Sequence, residues 1–386
     1  MAFQQDPSVV TSTRLASALP PSTRLMASAL GGDRQGLERL AAYPKLNEEV
    51  VRQGIAPALA RAAEHAGVNG SCVEHWQSQR LVNLNRNAIR MQAQGEIAHA
   101  FASHDIRWAP LNGPPMFSAI FPDQDDRSPS NIKILLTGNM DSARQVCAQI
   151  GWRSLHESAS LDSYLNDEGW VWRGRHENGL LLDLYSRFGS WAPDSMNRTF
   201  VASCVPDSSL GKTGMRLDIA ETYVVTALRL ALSRTPRLLV HWWDLQMIVD
   251  QGDHKTPENI HQKARENGLH VLVGFSAAVA AGLWGHESNR LIAKLIKVSP
   301  RWESMALKLA TGFGPNKVPA SVLLLARLID GRQSRLGWKA VLRRFWRHPG
   351  IVEYQTPENW PWPLRRASHL ARSATVGISR PFPERF

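Results

Sequence analysis

Hydrophobic residues recur at three- and four-residue steps through the first hundred residues, and this period predicts amphipathic helices. Short helices are expected around Leu37 and Leu40 and between Val50 and Gly67. A much longer helix is predicted for residues 73–103. We expect the apolar stripe of this long helix to pack into the protein core. Its members are Leu81, Leu84, Ala88, Met91, Ile97 and Phe101.

The pattern changes between residue 106 and about residue 200, where short apolar runs predict strands and one helix lies among them. The helical period then returns and continues to residue 348. The expected fold is therefore α+β, with a mixed sheet core between N-terminal and C-terminal helical regions. The expected segments are a flexible N-terminus at 1–35, a helical region at 36–105, the α/β core at 106–200, a helical domain at 215–348 and a Pro- and Trp-containing tail at 349–386.

The protein is basic, with 45 Lys and Arg residues against 34 Asp and Glu residues and a formal charge of +11. This balance favours an anionic partner such as a nucleotide, a nucleic acid, a lipid headgroup or an acidic peptide, and does not choose among them. Cys72, Cys147 and Cys204 lie far apart without metal-ligand spacing, which favours a reducing compartment. Apolar runs are too short for a transmembrane segment and the N-terminus lacks a signal-peptide core, so we expect a cytoplasmic location.

The candidate chemistry lies in residues 108–137 and in a later strand. A short strand is predicted to end in Leu111-Asn112-Gly113, Arg127 lies in a polar loop, and a second strand is predicted at 132–137. Asp183 lies inside an apolar strand at 180–188. The order of these elements resembles the bacterial uncharacterised nucleotidyltransferase family. Further matching features are Pro122-Asp123, Gly151 and the helix at 237–252.

The resemblance implies a nucleotidyltransferase-like core, in which a strand and turn hold nucleotide phosphates and strand carboxylates hold a metal ion. Asn112 stands where the family has a Lys, and Asn131 and Lys133 stand where it has two Asp residues. Asp183 keeps the place of the third carboxylate. The candidate site residues are Asp183, Asn131 and Lys133 at the catalytic positions and Asn112, Gly113 and Arg127 at the cofactor-binding positions, with no metal ligand set.

The residue types at these positions argue against a metal-dependent reaction. Mg²⁺ requires hard oxygen ligands, and two carboxylates two residues apart on a strand reach it from one face. Here Asn131 offers a neutral amide and Lys133 a positive charge, so Mg²⁺ binding is expected to be weak while an NTP remains a possible ligand. We also expect Lys133 and Asp183 to form an ion pair in place of the metal, with Asn112, Gly113 and Arg127 at the rim of the same cleft.

Two other acidic features have alternative interpretations. Asp123, Asp125 and Asp126 could serve as replacement metal ligands. Acids in a Pro- and Ser-rich loop are more often solvated, and we expect that outcome. Asp244 lies in the helix that resembles the family, and we expect it to be a structural group between packed helices.

Three functions remain open at this point. The resemblance implies a place in a bacterial biosynthetic pathway, and the first hypothesis is a non-catalytic member that binds a nucleotide or acts as a scaffold for a protein or peptide of that pathway. The second is an active nucleotidyltransferase with a rearranged site and a peptide or small-molecule acceptor. The third is a binder of nucleic acid or a membrane surface. We favour the first because of Asn131 and Lys133.

The third hypothesis rests on a basic segment between residues 327 and 347. Seven basic residues accompany one acid, Asp330, and aromatic and aliphatic residues lie between them. The pattern predicts a basic amphipathic helix, which either caps the helical bundle or binds an anionic surface.

Charge reversal at Arg343, Arg344 and Arg347 tests these alternatives. If the segment binds duplex DNA or anionic vesicles, the triple variant binds them more weakly and with a flatter salt dependence, because fewer counterions are released. Fluorescence anisotropy and vesicle co-sedimentation over a salt series measure this. Unchanged binding with an unchanged melting temperature assigns the segment to capping.

Overall fold

The computed structural model describes residues 20–112, 124–127, 131–155, 171–188, 194–232, 239–285 and 287–296, together with Pro361. The chain divides into two compact units, and each combines segments that are distant in sequence. The first contains Met1–Ala88, Phe117–Ser128 and Ile219–Val318, and the second contains Ile89–Met116, Pro129–Asp218 and Pro319–Phe386.

Twelve α-helices lie in the described residues. The longest, α5, has its first half in the first unit and its second half in the second unit. In chain order the helices are α1 (Pro21–Leu30), α2 (Arg34–Ala41), α3 (Asn47–Arg52), α4 (Ala56–Ala66), α5 (Ser71–Ser103), α6 (Met140–Gln149), α7 (Asp194–Ser203), α8 (Ile219–Leu232), α9 (Leu239–Asp250), α10 (Thr256–Glu266), α11 (His270–Trp284) and α12 (Glu287–Ile296).

The second unit contains a five-stranded mixed sheet with strand order β1-β2-β5-β4-β3. The central pair, β2 and β5, is parallel, and the other neighbouring strands are antiparallel. A separate two-stranded ribbon pairs β6 with β7. The strands are β1 (Trp108–Asn112), β2 (Ile132–Leu136), β3 (Trp152–Ser154), β4 (Val171–His176), β5 (Leu181–Tyr185), β6 (Val205–Pro206) and β7 (Met215–Arg216).

One face of the five-stranded sheet carries the core of the second unit. Ile132, Ile134, Leu182 and Leu184 lie at alternate positions of the two central strands and are fully buried, as a strand period of two requires. The C-terminal half of α5 and the inner side of α6 complete this cluster. The expected α+β class, a mixed sheet core with helical regions, is confirmed.

The first unit is helical in its described part, and its N-terminal helices share one apolar cluster with the start of α9. Asp33 caps α2, because its side chain accepts a hydrogen bond from the backbone N–H of Gln35. Helix α4 ends at Gly67, whose φ of 65° is the left-handed conformation that glycine adopts without strain.

The expected flexible N-terminus at 1–35 is wrong for residues 21–30, which form α1. Met26 and Leu30 are buried in the cluster of the first unit, and the Trp284 indole donates a hydrogen bond to the carbonyl of Ala27. The Ser-, Thr- and Pro-rich composition of this segment predicts that it does not pack. Met26 and Leu30 are four residues apart, however, and burial of these two side chains is enough to hold α1 against the cluster.

Helix α11 takes the most apolar run of the chain into the interior of the first unit. Phe275, Val279 and Ala280 are buried, and Ser276 donates its hydroxyl hydrogen to the carbonyl of Ala227. Among the described residues no helix combines the length and apolar character needed to cross a membrane.

The prediction that the apolar stripe of α5 is buried is wrong for the middle of the helix. Leu81 is 63% exposed, Leu84 is 49% exposed and Met91 is 44% exposed. Only the last two members of the predicted stripe, Ile97 and Phe101, are buried.

The buried side of the same helix carries polar residues at its centre. Asn87, Arg90 and Gln94 are buried, and the Asn87 amide donates a 2.8 Å hydrogen bond to the carbonyl of Arg127. A 3.6-residue period identifies two faces of a helix but does not identify the buried one when polar side chains find partners.

The acidic loop expected to be solvated is instead held by arginines. Asp125 and Asp126 lie in a short 3₁₀ helix, Gln124–Asp126. Arg80 Nε is 2.7 Å from an oxygen of Asp125, and Arg61 Nη2 is 2.8 Å from an oxygen of Asp126. The Asp126 side chain has no solvent exposure, so α4 and α5 each hold the turn through an ion pair. Asp123 lies outside the described residues.

Removing Arg61 should destabilise the protein strongly because a buried carboxylate loses its cation. Arg61→Met is expected to cost about 3 to 5 kcal/mol, and adding Asp126→Leu should recover most of that loss. Urea unfolding of the single and double variants measures the effect.

The exposed pair Arg34–Glu38 is the matched control, since its side chains are 67% and 51% exposed. Arg34→Met should cost no more than about 0.5 kcal/mol. Equal losses for the buried and the exposed pair would contradict the structural role of Asp126.

Candidate functional site

Polar residues form a row across the sheet at the level of the candidate site. Strand register sets Lys133 of β2 opposite Asp183 of β5, and sets Asp183 opposite Arg173 of β4. Asn112 of β1 is the register partner of Lys133, next to an irregularity in β1. Register partners on paired strands lie on the same face, so a polar row runs over four strands opposite the apolar core.

Asp183 is the centre of this row. Its residue is 2% exposed, which makes an uncompensated charge costly. Arg173 Nε lies 3.3 Å from Oδ1, the Asn131 amide donates a hydrogen bond to Oδ2, and the Tyr185 hydroxyl donates to Oδ2 over 3.3 Å. The carboxylate therefore has one cation beside it and two neutral hydrogen-bond donors, all supplied by the protein.

The local sequence explains how these groups meet. Asp183 and Tyr185 are two residues apart on β5, and this spacing puts both side chains on one face. Asn131 directly precedes β2 and lies near the start of the parallel β2–β5 pair. Arg173 reaches the same face through the antiparallel pairing of β4 with β5.

Arg173 and Tyr185 are the contacts that sequence reasoning missed. The alternation of Val171, Arg173 and Arg175 with Trp172 and Gly174 predicts that the arginines share a face. The alternation does not predict which of the two arginines lies opposite Asp183. That choice depends on the register between β4 and β5, which are separate segments of the sequence.

The expected ion pair between Lys133 and Asp183 stays a prediction. Their register supports it, since the two residues are direct neighbours on parallel strands. The structure shows an ion pair between Asp183 and Arg173. Arg173 lies on β4, which borders β5 on the side away from β2 and Lys133. Asp183 thus lies between two basic residues in the row.

The other predicted site residues have different positions. Asn112 is the last residue of β1, and Gly113 lies outside the described residues. Arg127 belongs to the first unit, where its guanidinium makes a two-pronged contact with Asp244, with Nε 2.9 Å from Oδ1 and Nη2 3.1 Å from Oδ2. A role of Arg127 in binding a cofactor stays a prediction.

Asp244, which we expected between packed helices, instead binds the arginine that follows the 3₁₀ turn at Gln124–Asp126. It lies in α9, is 8% exposed and holds Arg127 through both carboxylate oxygens. Burial raises the pKa of the Asp244 carboxyl above its ordinary value, and the nearby Arg127 and Arg229 oppose that rise. Loss of Arg127 would remove one of these two cations and its hydrogen bonds to the carboxylate.

The polar row does not fit a magnesium ion. Because an ionised carboxylate only accepts hydrogen bonds, Asn131 must present its NH₂ group, not its carbonyl oxygen, to Asp183. The Arg173 guanidinium and the Lys133 register position add positive charge where a divalent cation needs anionic oxygen ligands. Within the described ranges no group of three or more His, Cys, Asp or Glu residues could hold a metal ion.

Comparison with known families gives a match over residues 44–285 to a family described as uncharacterised nucleotidyltransferase. The match covers well over half of the chain and includes Asn131, Lys133, Asp183 and Asp244. The chain belongs to this family. No curated protein in the comparison matches it. The α+β fold with its mixed sheet is therefore that of a nucleotidyltransferase family member that has no carboxylate at position 131, just before β2, or at position 133 within β2.

A double-mutant cycle on Arg173 and Asp183 tests the contact at the centre of the row. Arg173→Met should destabilise the protein, because Asp183 stays buried with one cation fewer, and Asp183→Leu should recover part of the loss. We expect a coupling of at least ~1 kcal/mol in urea unfolding.

A second cycle uses Lys133→Met with the same Asp183→Leu change. It measures the expected Lys133–Asp183 pair directly. Coupling in the Lys133 cycle only would show that Arg173 is not the partner that stabilises Asp183, and additive effects in both cycles would contradict the ionic row altogether.

Proposed function

We propose that this member of the nucleotidyltransferase family binds a nucleotide or another phosphate-bearing ligand without a metal ion and does not catalyse metal-dependent nucleotidyl transfer. It acts as a non-catalytic component of a bacterial biosynthetic pathway, where it binds a nucleotide or serves as a scaffold for a protein or peptide of that pathway. Family membership supports the ligand class. The residues that contact Asp183 support the absence of metal-dependent nucleotidyl transfer.

One observation carries this proposal: the remaining carboxylate of the site, Asp183, is already engaged by Arg173, Asn131 and Tyr185. Nucleotidyl transfer by this chemistry requires a metal ion that bridges the phosphates and lowers the cost of attack on the α-phosphorus. A metal ion at Asp183 would have to displace the amide of Asn131 and lie beside a guanidinium. Both changes cost free energy that one carboxylate cannot offset.

The charges of the row support binding of an anion. Lys133 and Arg173 are two cations beside one carboxylate. A phosphate group placed at the row meets this net positive charge, which attracts its anionic oxygens. The basic charge of the whole chain, +11, adds a long-range attraction for anions.

Calorimetric titration with ATP, GTP, CTP and UTP, each with and without Mg²⁺, tests the ligand class. We expect at least one nucleotide to bind with an affinity that Mg²⁺ does not increase. Arg173→Met and Lys133→Met should weaken that binding, whereas Arg34→Met, a change at an exposed cation in another part of the chain, should not. Binding that requires Mg²⁺ would contradict the proposal.

Transfer activity is tested with NTPs labelled at the α-phosphate. We expect no label on protein, peptide or small-molecule acceptors above the level of an Asp183→Ala variant. Label that appears only with Mg²⁺ and disappears in Asp183→Ala would show an active transferase with a rearranged site.

Restoring the two missing carboxylates should restore metal binding. In Asn131→Asp/Lys133→Asp the row gains two anionic ligands two residues apart and loses one cation, so Mg²⁺ affinity should rise by about tenfold or more over wild type. The matched control is Asn131→Ala/Lys133→Ala, which removes the same side chains without adding carboxylates and should gain little. Wild-type affinity equal to that of the double Asp variant would contradict our interpretation of the site.

A further inference from the structure

One face of the five-stranded sheet carries every Lys, Arg and Asp side chain of its strands. These residues are Lys133, Arg153, Arg173, Arg175 and Asp183. Strand register puts Lys133 and Arg173 on either side of Asp183, and it puts Arg153 directly opposite Arg175. Arg173 and Arg175 are two residues apart and so share this face. Two of its cations, Arg153 and Arg175, therefore lie beside the polar row without belonging to it.

Packing on the opposite face of β4 fixes the side on which the arginines lie. Trp172 is buried in the core of the second unit, and its indole lies so close to Gly174 that a Cβ atom there would be 2.5 Å from the ring. A side chain at residue 174 would displace this indole. Trp152 and His176 also meet on this face, with ring centroids 5.1 Å apart. These contacts hold β3 and β4 in the register that sets the two arginines opposite each other.

Arg153 and Arg175 are like charges directly opposite each other on neighbouring strands, an arrangement that destabilises a sheet. Both side chains are exposed, so water and salt weaken their repulsion. Within the residues that the structure describes, neither arginine makes an ion pair. Two guanidinium groups side by side at the surface suit an anion with several oxygens, because each group can donate two parallel hydrogen bonds to it.

The arginine pair continues the polar row towards solvent. Arg175 lies two residues from Arg173 on β4, which is about 7 Å along the strand. The Arg173 side chain is 18% exposed and is paired with Asp183, whereas Arg175 is exposed. A ligand with one phosphate at the row can therefore place its next phosphate at the arginine pair, nearer to solvent. A chain of linked phosphates engages both positions, while a monophosphate engages one.

We propose that Arg153 and Arg175 form a second phosphate subsite, and that the ligand of this protein carries two or more linked phosphates, as nucleoside di- and triphosphates do. This inference rests on the proposed function, since the row must hold one phosphate for the arginine pair to hold the next. The two guanidinium groups neutralise part of the polyphosphate charge, which transfer enzymes neutralise with metal ions.

A short phosphate chain fits this face better than a nucleic acid strand does. The centre of the face is buried, with Asp183 only 2% exposed. The exposed cations of the described strands are Arg153 and Arg175, at the β3 edge of the sheet. A continuous strand would need a row of exposed cations along its backbone, whereas a polyphosphate needs one exposed position next to a buried one.

Calorimetric titration in metal-free buffer tests the subsite with the mono-, di- and triphosphates of adenosine, guanosine, cytidine and uridine. For at least one nucleoside, the affinity should rise about tenfold or more from monophosphate to triphosphate. In Arg153→Gln/Arg175→Gln this difference should fall to about threefold or less, while the affinity for the monophosphate changes little. Equal affinities for the two ligands in the wild type, or an unchanged difference in the variant, overturn the inference.

Arg198→Gln/Arg216→Gln is the matched control, because it removes two exposed arginines from the same unit but from outside the five strands. This variant should keep the preference for the triphosphate. A loss as large as that of the arginine-pair variant would mean that net charge alone sets the preference, and it would overturn the inference.

Lys133→Met separates this inference from the proposed function. It changes the row and should weaken the binding of monophosphate and triphosphate alike. If both ligands bind equally well and both depend on Lys133, only the inference fails. If none of these nucleotides binds, the proposed function fails with it.

Thermal unfolding without ligand distinguishes phosphate binding from a structural role of the pair. Because the two arginines repel each other, Arg153→Gln and Arg175→Gln should each leave the melting temperature unchanged or raise it slightly at low salt. A fall in the melting temperature of both variants would mean that the arginines stabilise the sheet, and it would overturn the inference.

A single-stranded oligonucleotide of about 20 residues probes the nucleic acid alternative. Fluorescence anisotropy should give the arginine-pair variant the same affinity for this strand as the Arg198→Gln/Arg216→Gln control. A larger loss in the arginine-pair variant than in the control would show that the face binds a nucleic acid strand, and this result would overturn the assignment to a short phosphate chain.

Discussion

A carboxylate that folding removes from water needs a cation beside it, and this constraint shapes both units of the protein. In the first unit, Asp126 meets Arg61 and Asp244 meets Arg127. In the second unit, Asp183 meets Arg173. Each pair joins residues from different elements. The ion pairs therefore fix positions that apolar packing alone would leave adjustable, most clearly the short turn at 124–127.

The same constraint explains why the site at Asp183 differs from a metal centre. Carboxylates that await a metal ion repel one another in the empty protein, and their positions are stabilised only when the ion binds. Here Asn131 and Arg173 stabilise Asp183 as soon as the sheet forms. The buried charge of Asp183 is therefore compensated by groups of the protein itself.

The fold and part of the site could be predicted from the sequence because their signals are local. Short apolar runs at 132–136 and 181–185 predict these two strands, and the family resemblance adds the place of Asp183. The register across the sheet could not be predicted, since it is set by contacts between β4 and β5. The family resemblance predicts that Lys133 is a neighbour of Asp183. The contact with Arg173 depends on the register of β4 against β5, so the sequence does not predict it.

The errors on α5 and on the turn at 124–127 have one physical cause. Sequence patterns assign polar residues to the surface on the assumption that water is their best partner. Asn87 and Asp126 instead find a backbone carbonyl and a guanidinium inside the protein, so polar groups occupy the interior. On α5 this leaves Leu81 and Leu84 in contact with solvent. Burial of polar side chains by specific partners and exposure of apolar side chains on α5 are thus two consequences of one arrangement.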